Sequence, residues 1–291
     1  MYPAHIENYH RPTTVAEALA AITQYPEGDS MFLAGGQSLM QAIKSRMIRP
    51  TSIVDLQSIA ELRGIDQSNG LRIAAMTRYV EMAEYDKFPI AYEALRDAAR
   101  RVGDRQVRNR GTIGGSMCWN YVASCMPTVV LALDGTMSLA SADGSVRDVG
   151  AKDFIIAPLE TARREDEILI SVSWPKPPPN TGSAYKKWGL VTDALPVVGM
   201  CVSITLDDSG KCRAAQVAVA GLADGAQIAD AGNAVLIGST GDAASIDTAM
   251  NAVADSVETH SDHWADASYR EQLIKRLGSE VTARAFERAR S

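Results

Sequence analysis

The sequence predicts a protein of mixed helices and strands, built from two medium-sized domains or from one domain with a large appendage. Its 291 residues are ample for a core of that size. Apolar residues make up 46% of the chain and charged residues 22%, as in an ordinary globular protein. The run Lys176-Pro177-Pro178-Pro179-Asn180 disfavours both helix and central strand, so it is the best linker candidate.

Before this linker, short apolar runs alternate with helical patterns. Thr13 or Thr14 is suited to cap the first helix, because a hydroxyl residue precedes apolar positions at helical spacing. A turn at Ala142-Asp143-Gly144 ends the last predicted strand of this half. The predicted helices cover residues 12–25, 93–102 and 126–133, and the predicted strands cover residues 31–34, 53–56, 71–76 and 137–140.

Beyond the linker the pattern changes. Two strand-like segments, at residues 197–206 and 212–222, are joined by Asp207-Asp208-Ser209-Gly210, which is typical of a hairpin turn. Helices are then predicted over residues 226–236, over residues 243–257 and from about residue 269 to the end.

Composition excludes several classes of function. The net charge is −6 with no basic block, so a nucleic-acid partner is not expected. The first residues show neither a basic nor an apolar segment of a secretory signal, and every apolar run is too short to span a bilayer. No CxxC pair is present, so neither a zinc site nor an iron–sulfur cluster is expected on this chain. Scattered cysteines then favour a reducing cytoplasm. The cysteines are Cys118, Cys125, Cys201 and Cys212.

Two glycine-rich segments, each predicted to be a loop, are the candidates for chemistry. The first glycine segment is Ala34-Gly35-Gly36-Gln37-Ser38-Leu39, and the second is Gly111-Thr112-Ile113-Gly114-Gly115-Ser116. Paired glycines allow positive φ and close approach of a ligand, and successive N–H groups form an anion nest. The hydroxyls of Ser38, Thr112 and Ser116 add donors. Such a site fits a pyrophosphate without a lysine.

A tight turn without a ligand is the simpler interpretation of either glycine segment alone. Two such segments weaken that interpretation without excluding it. Neither segment has the GxGxxG or GxxxxGK[ST] pattern, so a Rossmann or P-loop nucleotide site has little support.

The two glycine segments belong to a longer series of motifs. With Ile53-Val54-Asp55-Leu56 and with Gln106-Val107-Arg108-Asn109-Arg110 they resemble, in order and spacing, the flavoprotein medium subunits of molybdenum hydroxylases. That family includes subunits of bacterial carbon monoxide dehydrogenase and nicotine dehydrogenase, and the flavin domain of xanthine dehydrogenase is similar. The resemblance covers nearly the whole chain, including Asp266-Ala267-Ser268-Tyr269-Arg270 before the last helix.

The resemblance implies an α+β fold. Residues 1–175 would form an FAD-binding domain of the vanillyl-alcohol-oxidase (PCMH) type in two subdomains, and residues 180–291 a smaller α+β C-terminal domain. It also implies that the two glycine segments cradle the FAD pyrophosphate, that Lys186 or Lys187 lies near the flavin, and that Asp193 is the family's usual aspartate. The implied FAD-binding residues are Ala34, Gly35, Gly36, Gln37, Ser38, Leu39, Thr112, Gly114, Gly115, Ser116, Tyr121, Lys186, Lys187 and Asp193.

The chain departs from the family pattern at four positions. Tyr121 and Cys125 occupy positions that are acidic in relatives, and Leu190-Val191 replaces an Arg-Arg pair. These differences imply altered contacts to the FAD or to the electron acceptor, with the fold unchanged.

The resemblance also implies partners and a function. The chain would carry FAD and act as the electron-transfer subunit of a molybdenum hydroxylase, with no catalytic side chain and no metal of its own. The molybdenum cofactor would lie on a large subunit and the [2Fe-2S] clusters on a small one, in one or two copies of a heterotrimer. Two alternatives stay open: a free-standing flavin oxidoreductase of the same fold, and a scaffold subunit that binds no flavin.

Other side chains have a functional and a structural interpretation. His260 and His263 are spaced as metal ligands, but a solvated loop is favoured because no third ligand is evident. Cys118 and Cys125 are expected to be inert buried thiols, since no adjacent cation is obvious.

The aromatic and basic side chains around the second glycine segment are also open to two interpretations. Trp119 and Tyr121 suit either stacking on a ligand ring or packing in the core. Arg105, Arg108 and Arg110 would attract a pyrophosphate, although a solvated or structural role is expected for at least two of them.

Overall fold

The computed structural model describes residues 4–191 and 193–291. Its first subdomain is a three-stranded parallel sheet with two helices, and the strand order is β1-β3-β2. The strands are β1 (Asn8–His10), β2 (Ser30–Leu33) and β3 (Ser52–Asp55), and the helices are α1 (Val15–Ile22) and α2 (Leu39–Lys44). Thr14 caps α1 by accepting a hydrogen bond from the N–H of Glu17 at 3.2 Å.

The second subdomain is a five-stranded antiparallel sheet covered by short helices, with β10 at its centre in the order β4-β5-β10-β6-β7. Its sheet strands are β4 (Ile65–Asp66), β5 (Leu71–Ala74), β6 (Thr136–Ser141), β7 (Val146–Gly150) and β10 (Glu167–Trp174). A small hairpin adds β8 (Ile155–Ala157) and β9 (Glu160–Thr161). The helices are α3 (Tyr79–Glu84), α4 (Glu93–Ala99), α5 (Arg105–Arg110), α6 (Ile113–Trp119), α7 (Cys125–Ala132) and α8 (Ala151–Phe154).

The third unit follows the proline run and is a four-stranded antiparallel sheet with three helices. Its strands, in sheet order, are β11 (Thr181–Trp188), β12 (Val198–Leu206), β13 (Cys212–Ala220) and β14 (Gln227–Ile228). Its helices are α9 (Asp230–Leu236), α10 (Ala243–Ser256) and α11 (Ala267–Ala289).

Both faces of this last sheet are buried. Met200 and Val202 on β12 belong to a core shared with α10 and α11. The side chain between them, Cys201, joins Tyr185 and Ala218 in the core of the second subdomain. Successive residues of a strand point to opposite faces, so the C-terminal sheet lies between its own helices and helices α4 and α7 of the second subdomain.

Most predicted elements are present within a few residues of their expected ends, but the second glycine segment is an exception. It was expected to be a loop, whereas Gly114 and Gly115 lie inside helix α6. Helix α9 also begins later than predicted, because residues 227–228 pair with β13 as β14. Among the described residues, no helix is both long enough and apolar enough to cross a membrane.

Candidate functional site

The two glycine segments meet at one place in the fold. The first leaves the end of β2 and enters α2, and the second follows α5. A Cβ atom added to Gly35 would lie 2.1 Å from the carbonyl oxygen of Arg110, and one added to Gly115 would lie 3.4 Å from the Cβ of Ala34. The segments therefore pack backbone against backbone, and Gly35 leaves no room for a side chain.

The first glycine segment has a row of N–H groups that the protein does not use. Among the described residues, no acceptor receives a hydrogen bond from the N–H groups of residues 35–39. Gly36 has a φ of +78°, which turns the chain so that successive N–H groups can converge on one point. Such a concave row of donors is suited to a phosphate oxygen.

The second glycine segment is arranged differently from the prediction. The N–H of Gly114 donates to the carbonyl of Ala75 at 2.8 Å, and that of Gly115 donates to the hydroxyl of Thr112 at 3.1 Å. Neither glycine has a positive φ. A Cβ on Gly114 would lie 2.6 Å from the Cβ of Ala75, so glycine is needed here for close packing and not for a special backbone conformation.

Both glycine segments line a single cleft of about 1080 Å³. Small-molecule sites usually measure about 300–1,000 Å³, so this cleft suits a ligand as large as a dinucleotide. Every predicted site residue except Lys186 lines it. Those residues are Ala34, Gly35, Gly36, Gln37, Ser38, Leu39, Thr112, Gly114, Gly115, Ser116, Tyr121, Lys187 and Asp193.

Comparison with known proteins identifies the family to which the chain belongs. The sequence model for the FAD binding domain in molybdopterin dehydrogenase matches residues 4–177, and that for the CO dehydrogenase flavoprotein C-terminal domain matches residues 183–285. The chain belongs to the FAD-binding medium subunits of the molybdenum hydroxylases. The family and the fold predicted from the motifs are thus confirmed.

Individual relatives match along almost their whole length. The 6-hydroxypseudooxynicotine dehydrogenase complex subunit alpha of Paenarthrobacter nicotinovorans is 30% identical over 90% of this chain and 88% of the relative. The carbon monoxide dehydrogenase medium chain of Afipia carboxidovorans is 30% identical over 98% and 96%. A solved structure, carbon monoxide dehydrogenase from Hydrogenophaga pseudoflava, superimposes with a TM-score of 0.92, 29% identity and 99% coverage of both chains.

The two predicted lysines of this medium subunit lie in different places. Consecutive residues of β11 point to opposite faces. The ammonium of Lys186 pairs with Glu280 on α11, outside the cleft. Lys187 lines the cleft and donates to the carbonyl of Ala194. Burial lowers the pKa of Lys187, while nearby Cys125 and Asp193 act in the opposite direction.

The cysteines of the cleft are poorly suited to redox chemistry. Cys118 and Cys125 both line it. Burial raises the pKa of both thiols. Because the thiolate is the reactive form, a raised pKa disfavours reaction at either thiol. Cations that the sequence did not suggest, Arg163 near Cys118 and Lys187 near Cys125, act in the opposite direction but are outweighed by burial.

The aromatic and basic side chains near the second glycine segment separate into two groups. Trp119 and Tyr121 line the cleft, and the Tyr121 side chain is exposed at its surface. Arg108 instead donates to the carbonyls of Val102 and Gly103 at 3.2 and 2.7 Å, a structural role. Arg105 and Arg110 are not among the cleft-lining residues either.

Several residues of the site were not predicted. Arg49, Tyr79 and Arg163 also line the cleft. Glu167 lines it as a buried carboxylate and accepts hydrogen bonds from Arg147 at 2.6 and 2.8 Å. None of these residues lies in a recognisable motif. Chain topology alone brings them to the cleft.

A metal site is not found. Within residues 4–191 and 193–291, no group of three or more His, Cys, Asp or Glu side chains is arranged to hold a metal ion. His260 and Asp262 lie 3.6 Å apart, but His263 packs on Trp264.

The residues of the cleft fit an FAD molecule. The open N–H row of residues 35–39 supplies donors for a pyrophosphate. The hydroxyl of Ser30 is buried at the cleft wall without a hydrogen-bond partner, as expected of a group that a ligand satisfies. The remaining walls offer apolar and aromatic surface, including Trp119 and Leu56.

Proposed function

We propose that this chain is the flavin electron-transfer subunit of a molybdenum hydroxylase, and that it takes electrons from iron–sulfur clusters on a partner and passes them to an external acceptor. The single observation that supports this most strongly is the row of unused N–H groups at residues 35–39, which faces a cleft of dinucleotide size. Bound FAD supplies the redox chemistry, because a flavin accepts electrons singly and releases them in pairs.

The side chains of the cleft then have distinct roles. The first glycine segment binds the pyrophosphate through its N–H groups. The second packs against the first where Gly35 meets Gly111, and it adds the hydroxyls of Thr112 and Ser116. Lys187, half-buried and bonded to the carbonyl of Ala194, places one positive charge beside the ligand, near the carboxylate of Asp193. Tyr121 lines the cleft with a side chain that is exposed to solvent.

The FAD-binding unit is proposed to span residues 1–175 and the C-terminal domain residues 180–291. The partners are proposed to be a large subunit with the molybdenum cofactor and a small subunit with [2Fe-2S] clusters, joined as one heterotrimer or as a dimer of heterotrimers. A permanent complex of this kind buries more than about 2,000 Å². Relatives named as a complex subunit and as a medium chain are parts of multi-subunit enzymes.

Purification of the tagged chain from its native source tests the proposal. We expect one FAD per chain, two co-purifying subunits, and molybdenum and iron in the complex. Added organic substrate should bleach the flavin of the complex and leave that of the separated chain unchanged. A lone chain that oxidises an organic substrate unaided would support the free-standing flavin enzyme instead, and a colourless chain within a complete complex would support the scaffold.

A further inference from the structure

A buried arginine outside the cleft connects to its wall. Arg270, in the first turn of α11, is 2% exposed. A cation near the N-terminal end of a helix is disfavoured by the helix dipole. Burial of its charge is costly as well unless the guanidinium is fully hydrogen-bonded. Its position therefore requires strong compensating contacts.

The guanidinium of Arg270 finds these contacts on three other segments. It donates to the carbonyls of Val197 and Gly221 at 2.5 and 2.8 Å, and to that of His260 at 3.0 Å. It also donates to the carboxylate of Asp262 at 2.7 Å. Burial alone would raise the pKa of Asp262, but N–H donors from the next turn and the guanidinium outweigh it and lower the pKa to about 2. The pair is therefore charged at neutral pH.

Two of these carbonyls lie where cleft-lining segments meet the sheet. Val197 directly follows the cleft residues 193–196. The N–H of Gly221 donates to the carbonyl of Val122, which lies between the cleft residues Tyr121 and Ala123. Gly221 has a φ of +87°, and a Cβ there would lie 2.1 Å from the Val197 oxygen. The two carbonyls thus share a confined space that the guanidinium fills.

The residue before Arg270 holds the other end of the same cleft segment. Tyr269 packs edge-to-face on Trp188, with ring centroids 5.3 Å apart. Trp188 directly follows Lys187, and its carbonyl accepts the N–H of Val197 at 2.8 Å. The chain between Trp188 and Val197 is therefore held by Tyr269 at one end and by Arg270 at the other.

We infer that Arg270 is a positioning residue of the flavin site: through Val197 and Gly221 it sets the place of the cleft wall that Lys187 and residues 193–196 form. This inference rests on the proposed function, since that wall matters to activity only when flavin is bound. Arg270 itself does not line the cleft, so it acts through the main chain.

Arg288 provides a matched control. It is a second arginine of α11 with little exposure, 13% of its side chain, and its hydrogen bonds go to Asp97 and Ser183, neither of which lines the cleft. Arg270→Lys and Arg288→Lys should both reduce thermal stability, because each disturbs a buried network.

FAD titration and the visible spectrum of the bound flavin separate the two variants. We expect Arg270→Lys to weaken FAD binding by about 3- to 30-fold and to alter the flavin absorption band, while Arg288→Lys changes neither. Parental affinity and spectrum in folded Arg270→Lys, or equal changes in Arg288→Lys, would overturn the inference.

Hydrogen exchange on the flavin-free chain tests the positioning independently of FAD. Amides of residues 189–191, 193–195 and 197 should exchange faster in Arg270→Lys and at the parental rate in Arg288→Lys. Unchanged exchange in Arg270→Lys overturns the inference. A parent chain that binds no FAD would defeat the proposed function and leave this measurement valid.

If Arg270→Lys does not fold, Asp262→Asn removes the ionic partner with little change of shape. Asp262→Asn should also speed exchange at these amides, by a smaller factor than Arg270→Lys. Exchange at the parental rate in Asp262→Asn counts against the inference.

Discussion

The guanidinium of Arg288 donates to both carboxylate oxygens of Asp97, at 2.6 and 3.2 Å, across 191 residues of sequence. The same guanidinium donates to the carbonyl of Ser183 on β11 at 2.6 Å. Helix α4 of the second subdomain, strand β11 and the last helix are therefore tied at one point. The proline run at 175–180 is thus a connection between packed units, not a flexible tether.

Loss of this ion pair should destabilise the protein strongly. Arg288→Met leaves the carboxylate of Asp97 buried without its main partner, and breaking such a pair costs about 3–5 kcal/mol. Urea unfolding followed by circular dichroism measures the change. Arg276→Met is the control: the Arg276 side chain is 81% exposed and pairs with Glu280 on the same helix. It should cost no more than about 0.5 kcal/mol. Equal losses of unfolding free energy in the two variants would show that the Arg288–Asp97 pair stabilises the protein no more than an exposed pair does.

Gly35→Ala should separate the two glycine segments. The new Cβ would lie 2.1 Å from the carbonyl oxygen of Arg110, so the backbone must shift. Strain of this kind is about 1–3 kcal/mol, and we expect FAD affinity to fall roughly tenfold or more. Fluorescence titration with FAD gives the dissociation constant.

Gly150→Ala is the matched control for that substitution. Gly150 does not line the cleft, has no positive φ, and a Cβ there would meet nothing closer than the Asp153 carboxylate at 3.9 Å. It should bind FAD as the parent does. A folded Gly35→Ala variant with full flavin content would contradict the assignment of the first glycine segment to the pyrophosphate.

Stability should fall in mild acid, in part through Glu167. Hydrogen bonds from Arg147 lower the pKa of this buried carboxyl below its ordinary value of 4.5, against the opposing effect of burial. A carboxyl whose pKa is lowered in the folded protein stabilises the fold at pH values above its ordinary pKa. This stabilisation is lost as the pH falls through the folded-state pKa. Urea titrations between about pH 5 and pH 3 should show this decline. In Glu167→Gln the decline should be shallower, and parallel curves for parent and variant would exclude the contribution.

FAD should be held without a covalent bond. The cleft residues include no histidine among those the structure describes, and the pKa of both cleft cysteines is raised by burial. A protonated thiol is a poor nucleophile toward the flavin ring. Precipitation with trichloroacetic acid should therefore release yellow flavin to the supernatant, about one per chain. Colour retained by the washed pellet would indicate a covalent link.

Local signals in the sequence predicted part of the fold well. The cap of α1 at Thr14 and the turn between β12 and β13 depend on short-range hydrogen bonds, such as those that Asp207 accepts from Ser209 and Lys211. Strand β10, central in its sheet, was not predicted, although Ile170-Ser171-Val172-Ser173-Trp174 alternates apolar and polar side chains as a strand does. Helix α6 was missed because two glycines disfavour helix locally, whereas close packing of Gly114 on Ala75 requires them.

The site was predictable to the extent that motifs define it. Both glycine segments were recognised and lie on one cleft. The choice between Lys186 and Lys187 depends on which face of β11 points to the cleft. A sequence does not show which alternate residues of a strand face a given side until its pairing with neighbouring strands is known. Arg163 and Glu167 reach the cleft through long-range topology, so no local pattern indicates them.

Strand β12 sits between two cores, with Met200 and Val202 in one and Cys201 in the other. Substitutions along it must therefore conserve volume on both sides, whereas the hairpin tip at Asp208 and Ser209 is exposed. As related sequences diverge, length changes in this domain should accumulate at residues 207–210. The same tip is where an inserted affinity tag or fluorescent reporter would disturb the protein least.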